Sequence, residues 1–155
     1  MMKRLLCVFL VSVVALLAAG ECYAQFSKLT FGKYGISSIR PESFRAVNGA
    51  VWLDVTNPME GFTVSEVHGV VYKNGVPFVS GRTDDFHVTR GTARCVIRGR
   101  AALCEGVSLW TVLGLLSFDP ADYSVDLTVR ITLDSGAARV VTKKNMPVTA
   151  LLKLI

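Results

Sequence analysis

Two histidines, His68 and His87, are the whole supply of imidazole in this 155-residue chain. His87 follows Asp84 and Asp85 closely, and two adjacent carboxylates with one histidine could hold Ca²⁺ or Zn²⁺ weakly. Their spacing fits no defined ligand loop, so no metal site is assigned. His68 stands inside an alternating apolar-polar segment, where a histidine is ordinarily packed or solvent-facing. A serine hydrolase would need its nucleophile on a strained turn, and no Gly-x-Ser-x-Gly occurs. Asp54, Glu66 and Asp126 could in principle pair as the carboxylates of glycoside hydrolysis, yet nothing in the pattern specifies their separation. No catalytic residue and no cofactor follows from these groups, and the expectation is a non-enzymatic protein.

The N-terminal segment decides which of the remaining reactive groups persist. Residues 1–24 combine a basic start at Lys3 and Arg4, an apolar run over residues 5–19 and a small-x-small site at Cys22-Tyr23-Ala24. That arrangement describes a secretory signal peptide cleaved after Ala24 and standing apart from the fold. The apolar run of ~15 residues is short for the ~20 that a spanning helix needs. A lipidated cysteine normally follows a small residue, and Cys22 follows Glu21, which argues against a lipoprotein. The mature protein is expected to be exported, periplasmic or secreted. Removal of Lys3, Arg4 and Glu21 lowers the 17 basic residues to 15 and the 12 acidic ones to 11, so the net charge falls from +5 to about +4. Those charges are scattered, without interleaved aromatics, and no nucleic-acid partner is expected.

Two cysteines survive processing, Cys95 and Cys104. A two-residue turn around Gly99 would set them opposite each other, close enough to bridge. A single strand over residues 92–101 would hold them ~30 Å apart instead. The second version has the better alternation, with Cys95, Ile97, Gly99 and Ala101 on one face and Arg94, Arg98 and Arg100 on the other.

The elements that must position these groups centre on residues 50–81. Val51, Leu53 and Val55 alternate with Trp52 and Asp54, so aliphatic residues share one face of a strand. Asn57-Pro58 stops that strand, because proline has no N–H for the ladder. Alternation resumes at Phe62 and changes phase near His68-Gly69, the mark of a bulge. Asn74-Gly75 predicts a tight hairpin into a returning strand over residues 76–79. Before this core, residues 29–36 read as an edge strand and Arg40-Pro41-Glu42-Ser43 as a turn or short helical connection. After it come a polar link at residues 82–85, a short strand at Phe86-His87-Val88 and the long arginine-bearing strand. Residues 105–120 alone move towards helical spacing, placing Val107, Trp110, Leu113 and Leu116 on a short helix that either caps one open end of the sheet and buries Trp110 or forms the lip of a candidate apolar cleft. From Tyr123 the alternation is the cleanest in the chain, and Ser135-Gly136 turns it into a C-terminal hairpin. The apolar tail over residues 146–155 should dock on the body. Seven to eight strands in ~130 residues describe one antiparallel β-sandwich domain, residues 25–155, with one short helix.

The run of Asn57, Pro58, Asn74, Gly75 and Gly81 resembles the group 2 late-embryogenesis-abundant domain, also called the LEA14-like or WHy domain. The resemblance covers residues 50–101 best and the C-terminal hairpin loosely. It implies an immunoglobulin or fibronectin-III-like sandwich, no catalytic residues, and a role in desiccation protection or lipid and envelope association. With the leader, it implies a small exported bacterial member. Two functions stay open: a stress-protective or binding module for an apolar, lipid or protein partner in the cell envelope, and an assembly component acting through a strand edge or the tail.

Overall fold

The computed structural model describes residues 9–10, 12–14, 23–108 and 119–152. Eight strands dominate it: β1 (Thr30–Ser43), β2 (Ala46–Asn57), β3 (Phe62–Lys73), β4 (Val76–Thr83), β5 (Phe86–Val88), β6 (Gly91–Leu103), β7 (Tyr123–Leu133) and β8 (Ala138–Pro147). Every pairing is antiparallel. The all-β, sandwich-like class expected from the alternation is what the chain adopts. Hydrogen bonding runs without a break through the order β1-β2-β6-β4-β3-β7-β8, with β5 added to β3. Leu53 and Val55 of β2, Cys95 and Ile97 of β6, Phe62 of β3, and Phe86 and Val88 of β5 all border one interior void of about 10 Å³. One continuous sheet therefore curls around its own core, which leaves no room for a cavity of ligand size at that point.

Side-chain period explains which residues form which strand. In β7 the odd-numbered residues from Tyr123 to Leu133 are all buried and the even-numbered ones are not. Trp52 and Asp54 lie on the outer face, where Arg94 meets both, as the β2 alternation predicts. The β3–β4 hairpin closes on Asn74 and Gly75 with φ of 51° and 79°, the left-handed pair that a two-residue turn requires. Proline at 58 ends β2, and the buried Asn57 side chain completes the turn. Its Oδ1 accepts from Met59 N at 2.9 Å, and its Nδ2 donates to the Glu60 carbonyl at 3.1 Å.

Several expectations are corrected. The β1 strand runs on through Arg40, Pro41, Glu42 and Ser43 before turning at Phe44-Arg45, because Pro41 sits on the sheet edge, where no neighbour needs its missing N–H. The β4 strand extends to Thr83 instead of ending at Val79. The bulge in β3 falls between Ser65 and His68, with Glu66 at φ 52°, a few residues before the glycine taken as its mark. Arg98, Gly99, Arg100 and Ala101 lie within β6, paired continuously to β2, so no turn brings the cysteines together. Cys95 and Cys104 are both free thiols.

The N-terminal segment departs most from expectation. Residues 9, 10 and 12–14 are helical, and Phe9, Leu10 and Val13 are among the most buried side chains of the core. The boundary at Ala24 is thus not where the packing ends. Ala24–Lys28 forms a 3₁₀ turn that places Phe26 on Phe62, ring centroids 4.5 Å apart. At the other end, Met146 and Val148 are buried, so the start of the tail docks on the body as its composition requires; a short helix α1 (Val148–Leu152) follows. Among the described residues no helix is long and apolar enough to cross a membrane.

Candidate functional site

The inner face of the sheet carries a furrow built from small side chains. Gly69 of β3 lies opposite Gly81 of β4, Gly81 opposite Ala101 of β6, and Ala101 opposite Val47 of β2. A cross-strand glycine pair leaves the sheet without Cβ atoms at its centre, so another element can approach the backbone closely. The Phe9 ring fills that space. A Cβ added at Gly81 would stand 2.8–2.9 Å from three atoms of the ring, and one at Gly69 would stand 2.9 Å from its edge and collide with the Asp126 carbonyl of β7. Leu10 and Val13 are 1% and 0% exposed beside it. The one polar side chain of the helical segment, Ser12, bonds the Phe9 carbonyl at 2.7 Å within its own helix. What the furrow offers is therefore shape and apolar contact.

Tyr23 and Phe26 flank the processing point expected at Ala24. Their rings lie 5.4 Å apart, and Arg139 of β8 stacks over Tyr23 at 5.0 Å. Phe26 and its partner Phe62 lie on the C-terminal side of that point and Tyr23 on the N-terminal side.

Val107 is half-buried against the core and borders an open depression of about 420 Å³ with Val76, Pro77, Phe78 and Gly106. Arg45 holds this corner by donating to the carbonyls of Cys104 and Val107 at 2.9 and 3.0 Å. Trp110, Leu113 and Leu116, the other residues expected to border an apolar cleft, lie outside the described residues, as does most of the helix they were placed on.

The chemistry-bearing residues are kept apart. His87 Nε2 lies 2.9 Å from Asp134 Oδ1, reaching across β3 to the end of β7, and Asp84 and Asp85 do not join them. Asp54 is held by Arg94, Asp126 accepts from Asn145 N at 2.9 Å, and Glu66 is exposed in the bulge, so these carboxylates do not converge. Among the described residues no group of three His, Cys, Asp or Glu could hold a metal ion. Burial pushes the thiols of Cys95 and Cys104 upward, away from the thiolate that reactivity needs.

Of the motif residues, Asn57 and Pro58 make a turn, Asn74 and Gly75 make a hairpin, and Gly81 makes the floor of the furrow. Phe9, Leu10 and Val13 are the site residues that the sequence pattern does not disclose, because a basic start followed by an apolar run reads as a segment apart from the fold. Two glycines inside otherwise apolar strands were the available signal that something packs there.

Fold and site together define an antiparallel β-module that accommodates an apolar segment against a glycine-floored inner face. No protein-family model matches the chain, and no curated protein matches it. A solved structure described as a crystal structure of a protein from Archaeoglobus fulgidus superposes with a TM-score of 0.46 at 13% identity, over 75% of this chain and 94% of that one. A likeness so remote carries no argument, and the resemblance to the late-embryogenesis-abundant domain rests on Asn57, Pro58, Asn74, Gly75 and Gly81 alone.

Proposed function

We propose that the mature protein is an exported, non-enzymatic binding module that takes an apolar partner into the furrow over Gly69 and Gly81 once the leader has been removed. The observation that carries this reading is the seating of Phe9, Leu10 and Val13 in a furrow whose floor lacks side chains. A leader that departs uncovers that floor, and an exposed concave apolar surface is where a lipid chain or an apolar helix gains most from leaving water. The resemblance to the late-embryogenesis-abundant domain supports the same class, including a stress-protective role in a bacterial envelope.

Native mass spectrometry of protein recovered from its own envelope fraction tests the reading, paired with titration of a fluorescent fatty acid. The expected result is a chain beginning at Gln25, a stoichiometric adduct, and saturable probe binding that is lost in Gly81→Leu, which fills the furrow. A processed chain without adduct or saturable binding would refute it and favour the assembly reading. That alternative rests on β1, a fourteen-residue edge strand with Tyr34 73% and Ile36 43% exposed. Its three register shifts against β2 blunt the edge and weigh against strand pairing.

A further inference from the structure

The outer face of the sheet carries a cationic row that the furrow does not use. Arg40 of β1 is in register with Asn48 of β2, Asn48 with Arg100 of β6, Arg100 with Arg82 of β4, and Arg82 with His68 of β3. Strands stand ~4.8 Å apart, so the row spans roughly 19 Å. Its carboxylate is Glu42, held by Arg100 through Nε at 2.7 Å and Nη2 at 3.4 Å, and by Asn48 Nδ2 at 3.2 Å. Among the described residues Arg40, Arg82 and Arg98 form no ion pair.

Like charges directly opposite on neighbouring strands weaken a sheet, and Arg82 faces Arg100. Attraction to Glu42, whose carboxyl the Arg82 charge helps to lower, works against that repulsion, but it is screened because Glu42 faces solvent, so the arginine at position 82 carries little weight in fold stability. Beside the row, Arg98 and Arg94 flank Val96, which is 43% exposed and lies opposite Trp52. The Trp52 indole is pressed against Gly35 and covered by the Arg94 guanidinium at 3.8 Å. A row of arginines next to an exposed apolar spot matches a surface that is dense in phosphate and apolar underneath. Arginine suits that role because its planar fork bonds phosphate bidentately.

We propose that this face, centred on Arg40, Arg82, Arg98 and Arg100, docks the protein on an anionic lipid bilayer. The docking does not depend on what fills the furrow. Each arginine at a bilayer surface contributes about fivefold to the partition coefficient at moderate salt.

The test is co-sedimentation of the full chain with phosphatidylglycerol-containing vesicles and with pure phosphatidylcholine vesicles, for wild type, Arg82→Gln/Arg98→Gln and a charge-matched control, Arg90→Gln/Lys144→Gln. The leader is common to all three, so differences report the face. The first double variant should bind anionic vesicles roughly 25-fold more weakly, while the control stays within about twofold of wild type. Raising the salt should remove most of the difference between the two lipids. Equal losses in the two double variants would reduce the effect to net charge and overturn the proposal, as would wild-type binding by Arg82→Gln/Arg98→Gln. Urea midpoints give a separate check. Arg82→Gln should leave the midpoint unchanged or raise it, and a lowered midpoint would make Arg82 a structural partner of Glu42 and overturn the proposal. If a soluble polyanion such as heparin binds while vesicles do not, the membrane assignment falls.

Discussion

The contact between Phe9 and Gly81 can be isolated by changing each side of it in the full-length chain. Gly81→Ala places a methyl group where the Phe9 ring atoms lie only 2.8–2.9 Å away, tighter than such contacts ever are. The ring has little freedom to retreat, being fully buried with Leu10 and Val13 beside it. Overpacking of this kind costs typically about 1–3 kcal/mol. Against it stands the gain from replacing glycine by alanine in a strand, a few tenths of a kcal/mol to about 1. Phe9→Ala alone removes a buried aromatic side chain and should cost about 3–5 kcal/mol. In that background the space above Gly81 is open, so Gly81→Ala should be neutral or slightly stabilising. The two changes should therefore couple by about 1–3 kcal/mol in a double-mutant cycle read by urea unfolding. Gly69→Ala supplies the control, since its new methyl group meets the Asp126 carbonyl whether or not Phe9 is present. It should destabilise both backgrounds. If Gly81→Ala costs the same with and without the Phe9 ring, the N-terminal segment does not occupy the furrow, and the reasoning that leads from it to a binding site fails.

Two further outcomes test other parts of the structure. The Thr83 hydroxyl is buried and, among the described residues, has no hydrogen-bond partner, so Thr83→Val should raise stability by about 1 kcal/mol in chemical denaturation; a loss would mean that the hydroxyl is satisfied after all. Hydrogen bonds from Arg100 and Arg94 hold the carboxyls of Glu42 and Asp54 below the usual carboxylate range. Groups lowered in the folded state stabilise it above their unfolded values, near pH 4, and lose that contribution as pH falls through the folded values. The urea midpoint should therefore decline as pH drops below about 5, and Arg94→Gln should flatten that decline, with a small amplitude because Glu42 is exposed and Asp54 only partly buried.

Particular residues show how far the chain could be read without its structure. The outward placement of Trp52 and Asp54, the buried odd-numbered residues of β7 and the Asn74-Gly75 turn were all legible, because each depends on side-chain period or on the φ that one or two residues tolerate. The continuous β6 was legible too, since its alternation passes through Arg98-Gly99-Arg100 without a break, and that is what separates the cysteines. The extension of β1 past Pro41 was not, because a proline is acceptable only where no neighbouring strand needs its N–H, and being an edge is a property of the sheet. Nor was the site. Gly69 and Gly81 are twelve residues apart in the chain and become a furrow floor only when β3 and β4 lie side by side, and Phe9 reaches them from the far end of the sequence. Arg40, Arg82 and Arg100 looked scattered for the same reason, until the strand order β1-β2-β6-β4 set them in one row. The strand cores, their inner faces and the tight turns could be read from the chain alone, because they are local consequences of period and backbone conformation. Strand neighbours, register and the exact strand ends emerge in the folded sheet alone, because long-range pairing is selected by how well whole faces pack together.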